Sequence, residues 1–103
     1  MREVYYDKLR RVLVLNYHYK NSYDMIHEEY ALGDVLHIWQ PVETPGGYCM
    51  TIELRNRNKA PQFVRNSALC KFRTFPASKE KCFDMFFQMS NDYHESMIWV
   101  RAN

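Results

Sequence analysis

"DVLHIWQPVETPGGYCMTIELRN", Asp34 to Asn56, is the stretch on which the fold turns. Its first limb, Asp34 to Gln40, alternates apolar and polar residues and stops at Pro41. The second limb places Tyr48, Met50, Ile52 and Leu54 on one side and ends the other side in Glu53, Arg55 and Arg57. Two alternating limbs around a Pro/Gly turn predict a β-hairpin. Pro45-Gly46 suits the two central positions of a type II turn, where proline presets the first dihedral and glycine accepts a positive φ.

Outward from the hairpin, "RVLVLNYHYK" (Arg11 to Lys20) is rich in branched and aromatic residues and reads as a strand, with Leu13, Leu15, Tyr17 and Tyr19 on its apolar side. "SYDMIHEEYALG" fits a short helix, with Ser22 as cap, Tyr23, Ile26 and Tyr30 on one face and Gly33 at a left-handed end; a strand is the alternative there. "SALCKFRTF" (Ser67 to Phe75) alternates Ala68, Cys70 and Phe72 against Lys71 and Arg73. Pro76 stops that strand, and Ser78 caps a helix whose Cys82, Met85, Phe86 and Met89 recur at helical spacing. "SMIWVR" (Ser96 to Arg101) reads as a closing strand. The sum is an α+β fold: one small domain over residues 1–103, an antiparallel sheet of about five strands, one long and one short helix. A ferredoxin-like variant and a partly open small barrel both satisfy that order.

With 103 residues the chain suits one core, and 47% apolar with 25% charged residues is an ordinary globular composition. Eight Tyr, six Phe and two Trp are more rings than so small a core holds, so some belong at the surface or an interface. Cys49, Cys70 and Cys82 are odd in number and widely spaced, which argues for reduced thiols rather than a disulfide framework. No apolar leader follows Met1, and no apolar run approaches the length of a membrane span. The expectation is a soluble, cytoplasmic protein without a membrane partner.

Charge is segregated although the net charge is only +2. Arg55, Arg57, Lys59, Arg65, Lys71, Arg73 and Lys79 run from position 55 to 79 without an acid, whereas the first 54 residues hold eight acids and five bases. If the strand at Ser67–Phe75 pairs antiparallel with the hairpin's second limb, the basic sides meet on one sheet face. Such a face neutralises phosphates or an acidic protein surface. The candidate contact residues are Arg55, Arg57, Lys59, Arg65, Lys71 and Arg73, with Tyr48, Phe63 and Phe75 as aromatic neighbours. The competing account is that these charges solvate an open face and guard a sheet edge. No RNA-reading motif of spaced glycine and aromatics is present.

Catalytic and metal motifs are sparse. His18, His27, His37 and His94 are scattered without zinc spacing, no phosphate-binding glycine loop or nucleophile elbow occurs, and no cofactor is called for. His37 across the hairpin from Glu53, with Arg55 or Arg73 as phosphate stabiliser, assembles the parts of a metal-independent ribonuclease. "GDVLHIWQPVETPGG" (Gly33 to Gly47) resembles the opening of small toxin ribonucleases of the MazF/PemK type, in which Gly-Asp-Val starts a barrel strand before a Pro/Gly-rich loop. Their Arg-Pro after the loop is replaced here by Tyr48-Cys49-Met50, and no residue role is carried over. Composition is also similar to that of phage or viral accessory proteins that inhibit a host enzyme, with Tyr5, Tyr6, Tyr93 and the strip Asp24, Glu28, Glu29 as surface contacts. The rings at the hairpin suit a homodimer equally well. The reading these observations favour is a non-enzymatic binding protein.

Overall fold

The computed structural model describes residues 2–18, 23–56 and 71–102, with residues 96–102 described by backbone alone. It is an α+β structure of three antiparallel sheets and one long helix. β1 (Arg2–Asp7), β2 (Val12–His18) and β3 (Met25–Ala31) form a meander with β2 in the centre. A 3-10 turn, Leu32–Asp34, leads into β4 (Val35–Ile38), then β5 (Val42–Thr44), β6 (Gly47–Cys49) and β7 (Thr51–Leu54). β8 (Lys71–Arg73) and helix α1 (Lys79–Ala102) complete the order. This is not the βαββαβ order of a ferredoxin-like chain.

The meander buries one face. Val4 pairs with Leu15 and Tyr6 with Leu13, while Tyr30 and Ile26 lie opposite Leu13 and Tyr17. Val4, Leu13, Leu15, Tyr17 and Tyr30 are all buried. The segment read as a short helix is thus β3 within this sheet, and Gly33 belongs to the 3-10 turn rather than to a left-handed helix end. Ile26 and Tyr30 satisfy periods of both 2 and 4, and the acid between them hides the alternation. Glu28 occupies the inward position opposite Leu15, where the Tyr17 hydroxyl donates to its carboxylate. β1, for which the sequence carried no strand assignment, covers the other edge of β2.

The hairpin forms with β4 and β7 antiparallel, and a two-residue loop, Pro45-Gly46, joins β5 to β6. The positive φ falls on Gly47, at 132°, and not on Gly46, so the turn is not type II. The reason is a third segment: Tyr48 N–H donates to the Ala77 carbonyl at 2.8 Å and Ala77 N–H to the Tyr48 carbonyl at 3.0 Å. Gly47 has to pass close beneath that backbone, and a Cβ there would sit 2.7 Å from the Ala77 oxygen. β8 continues the pairing along β7, with Thr51 opposite Arg73, Ile52 opposite Phe72 and Glu53 opposite Lys71. At the bend between β6 and β7, Met50 N–H donates to Thr74 Oγ1 at 2.9 Å and Thr74 N–H to the Met50 carbonyl at 2.8 Å. Thr74 is buried, and this exchange keeps its hydroxyl and the Met50 amide satisfied.

Helix α1 starts where Ser78 Oγ accepts the Lys81 N–H at 3.2 Å, the bond that an N-cap supplies. Its buried stripe is Cys82, Met85, Met89 and then Asp92. The closing strand expected over Ser96–Arg101 is instead the helix's last turns. After Pro76 the chain holds neither proline nor glycine, so nothing stops a helix once Ser78 has started it. The branched residues Ile98 and Val100 disfavour a helix only weakly against that propagation. Asp92 faces the core because Tyr6 carries its hydroxyl there, 2.5 Å from Asp92 Oδ2, with Lys8 Nζ 3.8 Å from Oδ1. Burial and this bond to a carboxylate push the Tyr6 hydroxyl well above its usual range.

The two larger sheets and the helix share one core of Val4, Leu13, Leu15, Tyr30, Val35, Met50, Ile52, Leu54, Phe72, Cys82 and Met89, among others. Each fully buried Leu or Ile here contributes roughly 1.5–3 kcal/mol. Cys49 and Cys82 are buried free thiols, and burial pushes the Cys82 thiol upward. The rest of the expected strand, residues 67–70 with Cys70 among them, and Tyr19 to Ser22 lie outside the described residues. No helix among the described residues is long and apolar enough to cross a membrane.

Gly47→Ala is expected to cost about 1–3 kcal/mol, since it places a side chain at a strained φ against backbone. Gly33→Ala, with nothing within 4 Å of the added Cβ, should stay within roughly 0.5 kcal/mol of wild type. Urea denaturation of both variants measures the difference.

Candidate functional site

The register of β4, β7 and β8 decides what the open side of their sheet carries. Ile38, Ile52 and Phe72 point into the core, so the residues beside them point out. One outward row is His37, Glu53 and Lys71; Thr51 and Arg73 lie in the next, where Trp39 N–H donates to the Thr51 carbonyl at 2.9 Å. A β-bulge between Val35 and His37 leaves both Leu36 and His37 exposed on β4. The Leu36 carbonyl, displaced from the ladder, accepts the Tyr93 hydroxyl of α1 at 3.0 Å. The bulge therefore re-aims β4 while the helix satisfies the displaced carbonyl.

Trp39 follows directly on β4, at one edge of this face. The His37 ring meets it edge-on with centroids 4.2 Å apart, and Lys71 Nζ lies 4.8 Å from its centroid. Trp39, Gln40, Val42, Thr51, Lys71 and Arg73 line an open groove of about 560 Å³. Lys71 and Arg73 are exposed while Phe72 between them is buried. Arg55 is exposed just beyond β7, its N–H donating to the Asp34 carbonyl at 2.9 Å. Among the described residues the face thus presents an aromatic platform, the cations Lys71, Arg73 and Arg55, and the acid Glu53. Cations over an indole and ammonium groups beside an open groove can meet anionic groups and flat rings.

The candidate residues separate accordingly. Lys71 and Arg73 share the groove and Arg55 lies near the end of the same sheet, while Arg57, Lys59, Phe63 and Arg65 lie outside the described residues. Tyr48 and Phe75 turn to the other side. Tyr48 packs with Phe83 of α1, centroids 6.1 Å apart, and Phe75 meets Tyr17 edge-on at 5.3 Å. The ring beside the cations is Trp39, which the sequence reading left unassigned. Its signal was present: Ile38 takes the apolar side of β4, so Trp39 falls on the solvent side, where an indole is unusual.

Other singled-out groups are elsewhere. His18 Nδ1 lies 3.2 Å from the Asp24 carbonyl, and His94 is exposed on α1 beside Tyr93. Tyr6 is half-buried against Asp92, whereas Tyr5 is 36% exposed. Among the described residues no three His, Cys, Asp or Glu side chains gather as a metal site. Glu29 grips Arg10 through two bonds of 2.9 and 2.8 Å, Arg10 Nε also reaches Asp7 at 2.8 Å, and His27 Nε2 lies 2.9 Å from the Glu29 carboxylate. This cluster pairs Asp7 and Glu29 with Arg10 and His27 on the outer face of the meander.

Comparison with protein-family models, with curated proteins and with solved structures returns no match.

The acidic cluster has a pH signature. Hydrogen bonds from Arg10, with His27 adding to them, hold the Glu29 carboxyl down from 4.5 to about 2. A depressed carboxyl contributes stability that is present above its unfolded value near 4.5 and is lost as pH falls through about 2. In Arg10→Ala the Glu29 midpoint, followed by carboxyl NMR titration, is expected to rise toward 4.5.

Proposed function

We propose that this chain is a small non-enzymatic binding protein that engages nucleic acid through the outward face of β4, β7 and β8. The observation that carries the reading is the antiparallel register Ile52 to Phe72, which turns Lys71 and Arg73 outward beside the Trp39 indole. The cations alone suit any anionic surface, an acidic protein patch included. The indole tips the choice, because its negative π face offers a carboxylate little whereas bases stack on it. Arg55, Lys71 and Arg73 together would displace the counterions of about three phosphates, giving a slope of log K against log salt near −2 on a single strand. Buried reduced thiols at Cys49 and Cys82 suit a reducing, cytoplasmic setting.

One observation favours a second reading. His37 and Glu53 are register partners, with Lys71 next in the same row, and this is the disposition that acid–base cleavage of RNA without a metal would use. In that case purified protein would cleave RNA in excess chelator, and His37→Gln would abolish the cleavage.

Fluorescence anisotropy of labelled RNA and DNA at two salt concentrations tests the binding reading. Wild type should bind in a salt-sensitive way, and the folded triple variant Arg55→Glu, Lys71→Glu, Arg73→Glu should not bind. Arg73→Ala alone should lower the salt slope by about one. Wild-type protein that ignores every nucleic acid at low salt sinks the proposal.

A further inference from the structure

Resting on that nucleic-acid reading, we propose that the Trp39 groove takes up one unpaired nucleotide of RNA or DNA, its base on the indole and its phosphate on Lys71 and Arg73. The site therefore selects single strands over duplex. The first argument is size. A groove of about 560 Å³ lies within the range of sites that hold one small molecule and is far too small for a duplex. A duplex would offer this face its phosphates but hide its base planes, and the indole would stay unused.

The second argument is what occupies the indole now. The exposed Lys71 ammonium sits 4.8 Å from the centroid of the half-buried Trp39 ring, and such a contact at the surface is weakly held. A base stacking on an aromatic side chain gains more than that contact supplies, so it displaces the ammonium. The freed Lys71 keeps its charge and has a phosphate within reach of its four-carbon stem. Lys71 thus shares the indole with the His37 ring in the empty groove and holds the ligand in the filled one.

The third argument is the lining. Gln40, exposed at the rim, offers both a donor and an acceptor to a base edge. Val42 is 44% exposed and supplies apolar contact to a ring or sugar. Arg73 stands two residues along β8 from Lys71 on the same face, roughly 7 Å away, so the two cations can serve adjacent parts of one backbone. Glu53 on β7, directly opposite Lys71 in the same row, disfavours a second phosphate at that point.

The test uses three ligands of the same length and strand: a single-stranded oligonucleotide, that strand annealed to its complement, and an abasic phosphodiester of equal charge. Single-stranded RNA and single-stranded DNA are run in parallel to say which sugar is preferred. The full chain should bind the base-bearing single strand roughly tenfold or more tightly than the abasic strand and the duplex. Trp39→Ala should remove that preference with little change in salt slope, and Trp39→Phe should restore part of it. Should Trp39→Ala fail to fold, the abasic comparison on wild type still decides. Equal, salt-sensitive binding of all three ligands, lost in the charge-reversed triple variant, would overturn the base site and leave a face for anionic surfaces. Absence of binding to all three would overturn both proposals.

Discussion

The pairing of Gly47–Leu54 with Lys71–Ala77 is the constraint on which the rest of this structure depends. Ile52 and Phe72 face each other inside the core, and Met50 and Thr74 exchange two hydrogen bonds at the bend. Because side chains alternate along a strand, that one register forces Thr51, Glu53, Lys71 and Arg73 to the open side. A slip by one residue would bury two cations and expose Phe72, a cost of several kcal/mol that makes the register well specified. The same pairing requires Gly47, whose backbone passes close under Ala77.

The two sides of the molecule handle polar groups differently. On the core side, among the described residues, buried Asp92 is matched by Tyr6 and buried Thr74 by the Met50 amide, and half-buried Glu28 by Tyr17. On the outer face of the meander, Arg10, Glu29, His27 and Asp7 form one network. The β4–β7–β8 face instead places Lys71 on an aromatic ring and leaves Arg73 at the edge of an open groove. A cation on an indole is held loosely compared with a bidentate carboxylate pair. This contrast in how tightly charges are held is the physical basis for proposing the second face as the binding surface.

Elements with one strong local signal were legible in the sequence, and elements with two competing signals were not. The hairpin declared itself by two alternating limbs around Pro45-Gly46, and α1 by Ser78 and the stripe from Cys82 to Met89. β3 was obscured because Ile26 and Tyr30 fit a helix as well as a strand, and because Glu28 stands at an inward position that only the Tyr17 hydroxyl makes tolerable. The end of α1 misled for the opposite reason: Ile98, Trp99 and Val100 favour a strand locally, yet no breaker separates them from an established helix. The basic side of β8 was legible as a strip. Its neighbour Trp39 was signalled only by its alternation with Ile38, and that it meets Lys71 needed the cross-strand pairing.

By itself the sequence determined the α+β class, the tight turn, the start of the long helix and the segregation of charge, all of which follow from local periodicity and residue type. The tertiary structure decided the three-sheet arrangement, the strand at Met25–Ala31, the bulge at Leu36 and the meeting of Lys71 with Trp39. Those four depend on which residues lie opposite one another across strands. That pairing is settled by burying Ile52, Phe72, Leu13 and Leu15 together, and segments far apart in the chain set it jointly.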